Sequence, residues 1–334
     1  MESGSGGTGA PLSRRAMLSF LAGGAAAAVA GCSGAMTGGR IAGSARPESA
    51  QGFHEPVPTS TPAPGSGLSG RFRVNALQRI AYPPLSGRPA PQNGGDLFLP
   101  EGMSELPIVV MIHGGGWREP IGLGYMTPLA RDLASHGVAV WNIEYRRVGG
   151  GGGWPTTLTD VAAAVDFVAD LPHTVPAPLK FTGVHVTGHS AGGHLAAWTA
   201  SRPRLPAGAP GSAPRVKVKT ALTMAGVFDL STTGFGDEWV LPFLGGTEAT
   251  FPERYRIASP IDLLPTGIRV CCVHGVEDKA VPIEQARRYV AAARRLGDPA
   301  ELLALPGVGH QEFAVVTSTA WQSARARLLA NISR

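Results

Sequence analysis

The sequence predicts an α/β fold, a mostly parallel central sheet with helices on both faces. Three observations predict it. Apolar runs of strand length alternate with stretches of helical spacing from about Leu106 to the C-terminus. The runs LPIVVMI and RVCCV are apolar with little interruption, as strands buried on both faces are. Hydrophobic residues make up 43 % of the 334 residues, enough to fill a large core.

The N-terminal residues 1–31 read as an address and not as part of the fold. Arg14 and Arg15 precede an Ala/Gly-rich apolar stretch from Ala16 to Ala30. The order Ser13-Arg14-Arg15-Ala16-Met17-Leu18 resembles the twin-arginine export motif. The stretch is shorter and more glycine-diluted than the roughly 20 strongly apolar residues of a membrane-spanning helix. Val29-Ala30-Gly31-Cys32 resembles a bacterial lipobox. That resemblance implies cleavage before Cys32, lipidation of Cys32, and an exported protein held outward on the membrane of the cell envelope; plain secretion is the alternative. Residues 32–70 include EPVPTSTPAPGSGLSG, too poor in apolar side chains to fold, and read as a tether.

The folded domain is expected over 71–334. RFRVNALQRIAYPP and GGDLFLP have the texture of opening strands. LPIVVMIHGGGW is a central strand ending in glycines. YMTPLARDLASHG has helical spacing and a stop at Gly137. VAVWNIEYR is a second buried strand, and TLTDVAAAVDFVADL is an amphipathic helix with Val161, Val165 and Val168 on one face. KFTGVHVTGHS is a third strand, followed by a helical pattern from Ala191. VKVKTALTMAG, GIRVCCVHG and AELLALPG are later strands; IEQARRYVAAARRLG and TSTAWQSARARLLANI are helices. The stretch FDLSTTGFGDEWVLPFLGGTEATFPERY breaks the rhythm and reads as a lid over a site.

Composition excludes some functions. The formal charge is +5, but the excess is scattered Arg with no run longer than a pair. A nucleic-acid footprint needs a clustered patch, so no nucleic-acid partner is expected. Arg287, Arg288, Arg294 and Arg295 read as the solvated face of one helix. Adjacent Cys271 and Cys272 point to opposite faces of a strand and read as small buried hydrophobes. No cysteine spacing fits a zinc site, and neither metal nor cofactor is expected.

The chemistry concentrates at strand ends, where open parallel sheets bind ligands. Gly188-His189-Ser190-Ala191-Gly192 fits a G-x-S-x-G elbow at a strand-to-helix corner. The corner exposes Ser190 as a nucleophile, and only glycines two residues away leave room for so tight a turn. Asp278 in HGVEDKAVP and His310 in LPGVGHQEF each follow a strand, in the chain order serine, acid, histidine. Glu277 is the rival acid. His113, His189, His194 and His274 read as packed or hydrogen-bonded histidines. HGGGW, His113–Trp117, offers backbone N–H groups to a bound carbonyl. Gly115 and Gly116, with the N–H of Ala191, are the expected oxyanion hole. Glu144 and Asp160, beside Tyr145 and Arg146, read as an internal ion-pair network and not as glycosidase carboxylates. Trp117, Trp154, Trp239, Phe235 and Phe243 are candidates for a pocket lining or for the core.

HGGGW, NIEYRR, WPTTLTDVAAAVDFV, GHSAGGHLA, AGVFDL, ASPI and HGVEDKAVP, in this order, resemble the α/β-hydrolase superfamily in its esterase branch with an HGGG-type oxyanion loop. They are particularly similar to the feruloyl-esterase-like and kynurenine-formamidase-like group. The resemblance implies an α/β-hydrolase fold, the triad Ser190, Asp278 and His310, and cleavage of small-molecule carboxylic esters through an acyl-enzyme. An aryl-formamidase-type amidase is the nearest alternative; a peptidase and an inactive binding protein on the same frame are more distant ones. VGGGGGWP after Arg147 departs from the group's pattern and leaves the pocket wall open.

Overall fold

The structure is a computed structural model that describes residues 70, 72–176, 178–231 and 237–334. The export segment, Cys32, nearly all of the expected tether and Phe235 lie outside the described residues. The strands are β1 (Val74–Ala81), β2 (Gly94–Pro100), β3 (Glu105–Ile112), β4 (Ala139–Ile143), β5 (Lys180–His189), β6 (Val218–Met224), β7 (Arg269–Gly275) and β8 (Ala300–Leu305). They form one sheet in the order β1-β2-β4-β3-β5-β6-β7-β8. β2 pairs antiparallel with both its neighbours, and every other pairing is parallel. Only β2 therefore runs against the rest.

The helices are α1 (Thr127–Ala134), α2 (Thr156–Asp166), α3 (Ala191–Ser201), α4 (Asp237–Leu244), α5 (Pro252–Ala258), α6 (Glu284–Arg295) and α7 (Thr319–Ile332). Strand alternation divides the core between two layers. On β3, Ile108, Val110 and Ile112 join a cluster with Leu158 of α2, Leu195 of α3 and Tyr289 of α6. Val109 and Met111 join the opposite cluster with Leu129 and Leu133 of α1 and Trp321 and Leu328 of α7. Helices thus cover both faces, as an α/β-hydrolase fold requires. Cys271 and Cys272 are buried free thiols, one in each layer. Burial pushes the Cys272 thiol up to about 12. The four arginines of α6 are exposed.

Some boundaries move from their expected places. The α-helix expected to include Tyr125 starts at Thr127, and Leu123–Met126 forms a 3₁₀ turn. Pro128 has no N–H to bond back to Gly124, so α-helical bonding cannot include that turn. The helix ends at Ala134 with Ser135 as its C-cap, three residues before the stop expected at Gly137, which has φ +90° in the turn that follows. β4 stops at Ile143, short of the expected run through Arg146, because Glu144, Arg146 and Arg147 turn to ion-pair partners outside the sheet. The segment read as a lid folds into α4 and α5 where it is described, and Val240, Phe243 and Leu244 of α4 are buried.

Candidate active site

Ser190 stands between β5 and α3 with φ +57° and ψ −121°. A left-handed value at a non-glycine residue costs on the order of 1–3 kcal/mol. Surrounding bonds offset it: Ser190 N–H donates to the Met224 carbonyl at 2.8 Å, and the Ser190 carbonyl accepts from His194 N–H at 3.0 Å. The glycines on either side are there because backbone comes too close for a side chain. A Cβ on Gly188 would overlap the Gly192 carbonyl, and one on Gly192 would overlap the carbonyls of Ile112 and His113.

The loop after β3 holds Gly115 at φ +98° and Gly116 at φ +60°. Ile121 packs on Gly115 and the Trp239 indole on Gly116 so closely that neither could carry a Cβ. Gly114 N–H is taken by the Tyr125 hydroxyl at 2.6 Å. Among the described loop hydrogen bonds, the N–H groups of Gly115 and Gly116 have no acceptor. Ala191 N–H opens α3, where intrahelical acceptors are lacking and the helix dipole is positive. These three residues border the same cavity as Ser190.

His310 follows β8 and Asp278 follows β7. The His310 Nδ1–H donates to Asp278 Oδ2 at 2.7 Å. The other carboxylate oxygen accepts from Ala280 N–H at 2.9 Å and Val281 N–H at 2.8 Å. Burial alone would raise the pKa of Asp278. Hydrogen bonds from His274, His310 and Val281 N–H outweigh it and hold the carboxyl well below its ordinary value. Glu277 is exposed. Ser190, His189 and His310 line one cavity of about 690 Å³, bordered also by Trp117, Ile121, Tyr125, Val227, Trp239, Lys279 and Val281. Within the described residues the His310 ring bonds only to Asp278, and no hydrogen bond reaches it from Ser190 Oγ. Proton transfer needs an approach of roughly 2.6–3.2 Å, a contact that commonly tightens once substrate is bound.

The four other histidines weighed as bases are packed and bonded. His113 stacks on Tyr145 with ring centroids 4.2 Å apart and meets Glu144 at 2.7 Å. His194 accepts from Trp117 Nε1 at 3.1 Å and donates to the Ala258 carbonyl at 2.8 Å. His274 donates to the Val281 carbonyl at 2.9 Å. His189 lies between the Tyr125 hydroxyl and the His310 carbonyl. Glu144 and Asp160 sit in ion pairs with Arg147 and Arg146. Glu144 also accepts from Leu123 N–H at 3.1 Å, so this carboxylate braces both ends of the glycine loop. Phe243 is stacked on Trp117 at 4.7 Å, and Trp154 is half-buried against the core.

The structure therefore gathers Ser190, His310, Gly115, Gly116 and Ala191 around one cavity, with Asp278 directly behind His310. Sequence reasoning missed Tyr125 and the bracing by Glu144. Tyr125 carries no spacing signal, since its partners are 11 and 64 residues away.

A model of the family described as BD-FAE matches residues 96–292. The chain is 29 % identical over 213 residues to the probable carboxylic ester hydrolase LipM of Mycobacterium tuberculosis, covering 61 % of this chain and 49 % of that protein. It is 29 % identical over 198 residues to the esterase LipQ of the same organism, covering 57 % and 46 %. The chain spans about half the length of these curated relatives. Among solved structures it is similar to the esterase Est2 of Thermogutta terrifontis, with TM-score 0.60, 22 % identity, and 76 % of this chain and 90 % of that chain covered. At that identity the likeness concerns the fold.

Proposed function

The chain belongs to the BD-FAE family, and from that premise we propose that it hydrolyses carboxylic esters, with Ser190 as nucleophile, His310 as base and Asp278 as its orienting acid. His310 Nε2 takes the Ser190 proton as Oγ attacks the ester carbonyl. The Asp278 carboxylate, already charged and fully hydrogen-bonded, keeps the His310 proton on Nδ1 and stabilises the imidazolium. The tetrahedral oxyanion is held by the N–H groups of Gly115, Gly116 and Ala191. His310 returns the proton to the leaving alcohol, and water activated by the same imidazole frees the acid from Ser190.

One observation carries the reading. A serine held at φ +57° shares a cavity with a histidine bonded at 2.7 Å to a buried aspartate. A cavity of about 690 Å³ suits a small-molecule ester. The curated relatives named as ester hydrolases support the same reading. The test compares p-nitrophenyl acetate with N-formyl-kynurenine for the native enzyme and Ser190→Ala. The native enzyme turns over the ester faster, and Ser190→Ala loses at least about 10³-fold in kcat. Equal turnover by Ser190→Ala excludes the nucleophile; faster formamide cleavage makes the enzyme an amidase of the kynurenine-formamidase-like group.

The protein is exported and anchored outward on the cell envelope through lipids on Cys32. Support comes from the Arg14-Arg15 pair, the apolar stretch after it, and Val29-Ala30-Gly31-Cys32.

A further inference from the structure

We propose that Tyr125 and His189 form a positioning relay that sets the distance between the oxyanion loop and the base. The proposal rests on the ester-hydrolase reading and extends it to two residues without a part in the triad. Four groups stand in a chain. Gly114 N–H meets the Tyr125 hydroxyl at 2.6 Å, that hydroxyl meets His189 Nδ1 at 3.2 Å, and His189 Nε2 meets the His310 carbonyl at 2.9 Å.

Donor and acceptor bookkeeping fixes the direction of every bond. The His310 carbonyl can only accept, so His189 carries its proton on Nε2. A neutral ring then has a lone pair on Nδ1, so the Tyr125 O–H donates to it. The Tyr125 oxygen is left to accept from Gly114 N–H. Burial, first, and the neighbouring His310 push the His189 pKa down to about 3, so the ring stays neutral. Burial likewise holds the Tyr125 hydroxyl well above its ordinary value. Neither relay residue changes its charge in the enzyme's working range, which suits a fixed spacer.

The two ends of the chain matter. At one end, Tyr125 takes Gly114 N–H and so commits the oxyanion role to Gly115 and Gly116. At the other, the carbonyl of His310 itself is held. His189 also directly precedes Ser190, with its ring 4.7 Å from that of His310. One side chain thus ties the nucleophile's corner, the base's main chain and the oxyanion loop together. Reacting groups misplaced by about 1 Å can lose on the order of 10²-fold in rate.

The test uses the full chain, with active sites titrated by a fluorophosphonate so that rates refer to folded, labelled enzyme. Tyr125→Phe is expected to lower kcat per titrated site about tenfold with KM within about twofold. His189→Leu, which removes both bonds, is expected to lose about 10²-fold. His189→Gln can restore the donor to the His310 carbonyl and is expected to recover most of that loss. A residue that merely fills the core would lower the titre or Tm in all three and leave kcat per site unchanged; that result overturns the relay. Failure of His189→Gln to outperform His189→Leu overturns it too. Retention of activity by Ser190→Ala instead removes the underlying hydrolase reading, so the two failures are distinguishable.

Discussion

At the scale of single residues, three buried histidines make a prediction about acid. Burial lowers the pKa of His189 to about 3 and those of His185 and His194 to about 4; His310 adds to the shift at His189 and Lys219 to that at His185. In the unfolded chain each returns to about 6.5. Between those values the unfolded state binds more protons than the folded one, so stability is full above pH 6.5 and falls as pH drops. The slope is about 1.4 kcal/mol per pH unit per histidine. His189 and His194 should each remove on the order of 3 kcal/mol by pH 4. Asp278 acts in the same direction but lower, since its depressed pKa stabilises the fold above about 3.9 and the contribution drains away below it. Urea midpoints at pH 7.5, 6.0 and 4.5 check this, and His194→Gln should flatten the curve by about one proton. An unchanged slope in that variant refutes the histidine account. The same scale shows why some residues were legible. Gly188, Ser190 and Gly192 form a local pattern whose cause is backbone crowding around one corner. His310 was found through chain order. Tyr125 was not found, because its hydroxyl acquires meaning only when folding brings Gly114 and His189 to it.

At the scale of elements, α4 decides the shape of the cavity. Its Phe243 is buried and stacked on Trp117, and Trp239, one turn earlier, lies against Gly116 with 36 % of its surface exposed. The i, i+4 spacing puts the anchor and the cavity wall on neighbouring positions of one helix face. The sequence betrayed this segment only as a break in strand–helix rhythm, which suggested a lid. Where the segment is described, Val240, Phe243 and Leu244 are buried while Glu238 and Trp239 border the cavity. Truncating Phe243→Ala should cost about 3–5 kcal/mol of stability through the space it leaves. Trp239 would lose its support while Ser190 and His310 keep theirs. KM should therefore rise more than kcat falls, and steady-state kinetics with thermal melts read both effects. A fall in kcat at constant KM would mean that α4 supports the reacting groups themselves. The strands were more legible than this helix, because burial on both faces writes itself as continuous apolar sequence. Where β4 ended short, the competing demand came from charge: Glu144, Arg146 and Arg147 have partners off the sheet.

At the scale of the whole molecule, a parallel sheet collects distant residues at one edge. Ser190, Asp278 and His310 follow β5, β7 and β8, and the glycine loop follows β3. Everything the proposed chemistry uses thus lies between His113 and His310, well after residue 32 in the chain. Anchoring and catalysis should then separate cleanly. Were Cys32 lipidated as proposed, each buried CH₂ would contribute about 0.8 kcal/mol to membrane binding, and several acyl chains together would hold the protein firmly. None of that free energy acts on the transition state of a water-soluble ester. Cys32→Ala should move the protein from the membrane to the soluble fraction and abolish labelling by a palmitate analogue. Its kcat/KM on p-nitrophenyl acetate should stay within about twofold of the native value, because changes in uniform binding or location leave the chemical step untouched. Label retained by Cys32→Ala places the lipid elsewhere. A large loss of kcat/KM with labelling abolished would mean that the anchor shapes the site, and the separation argued from the positions of these residues would fail.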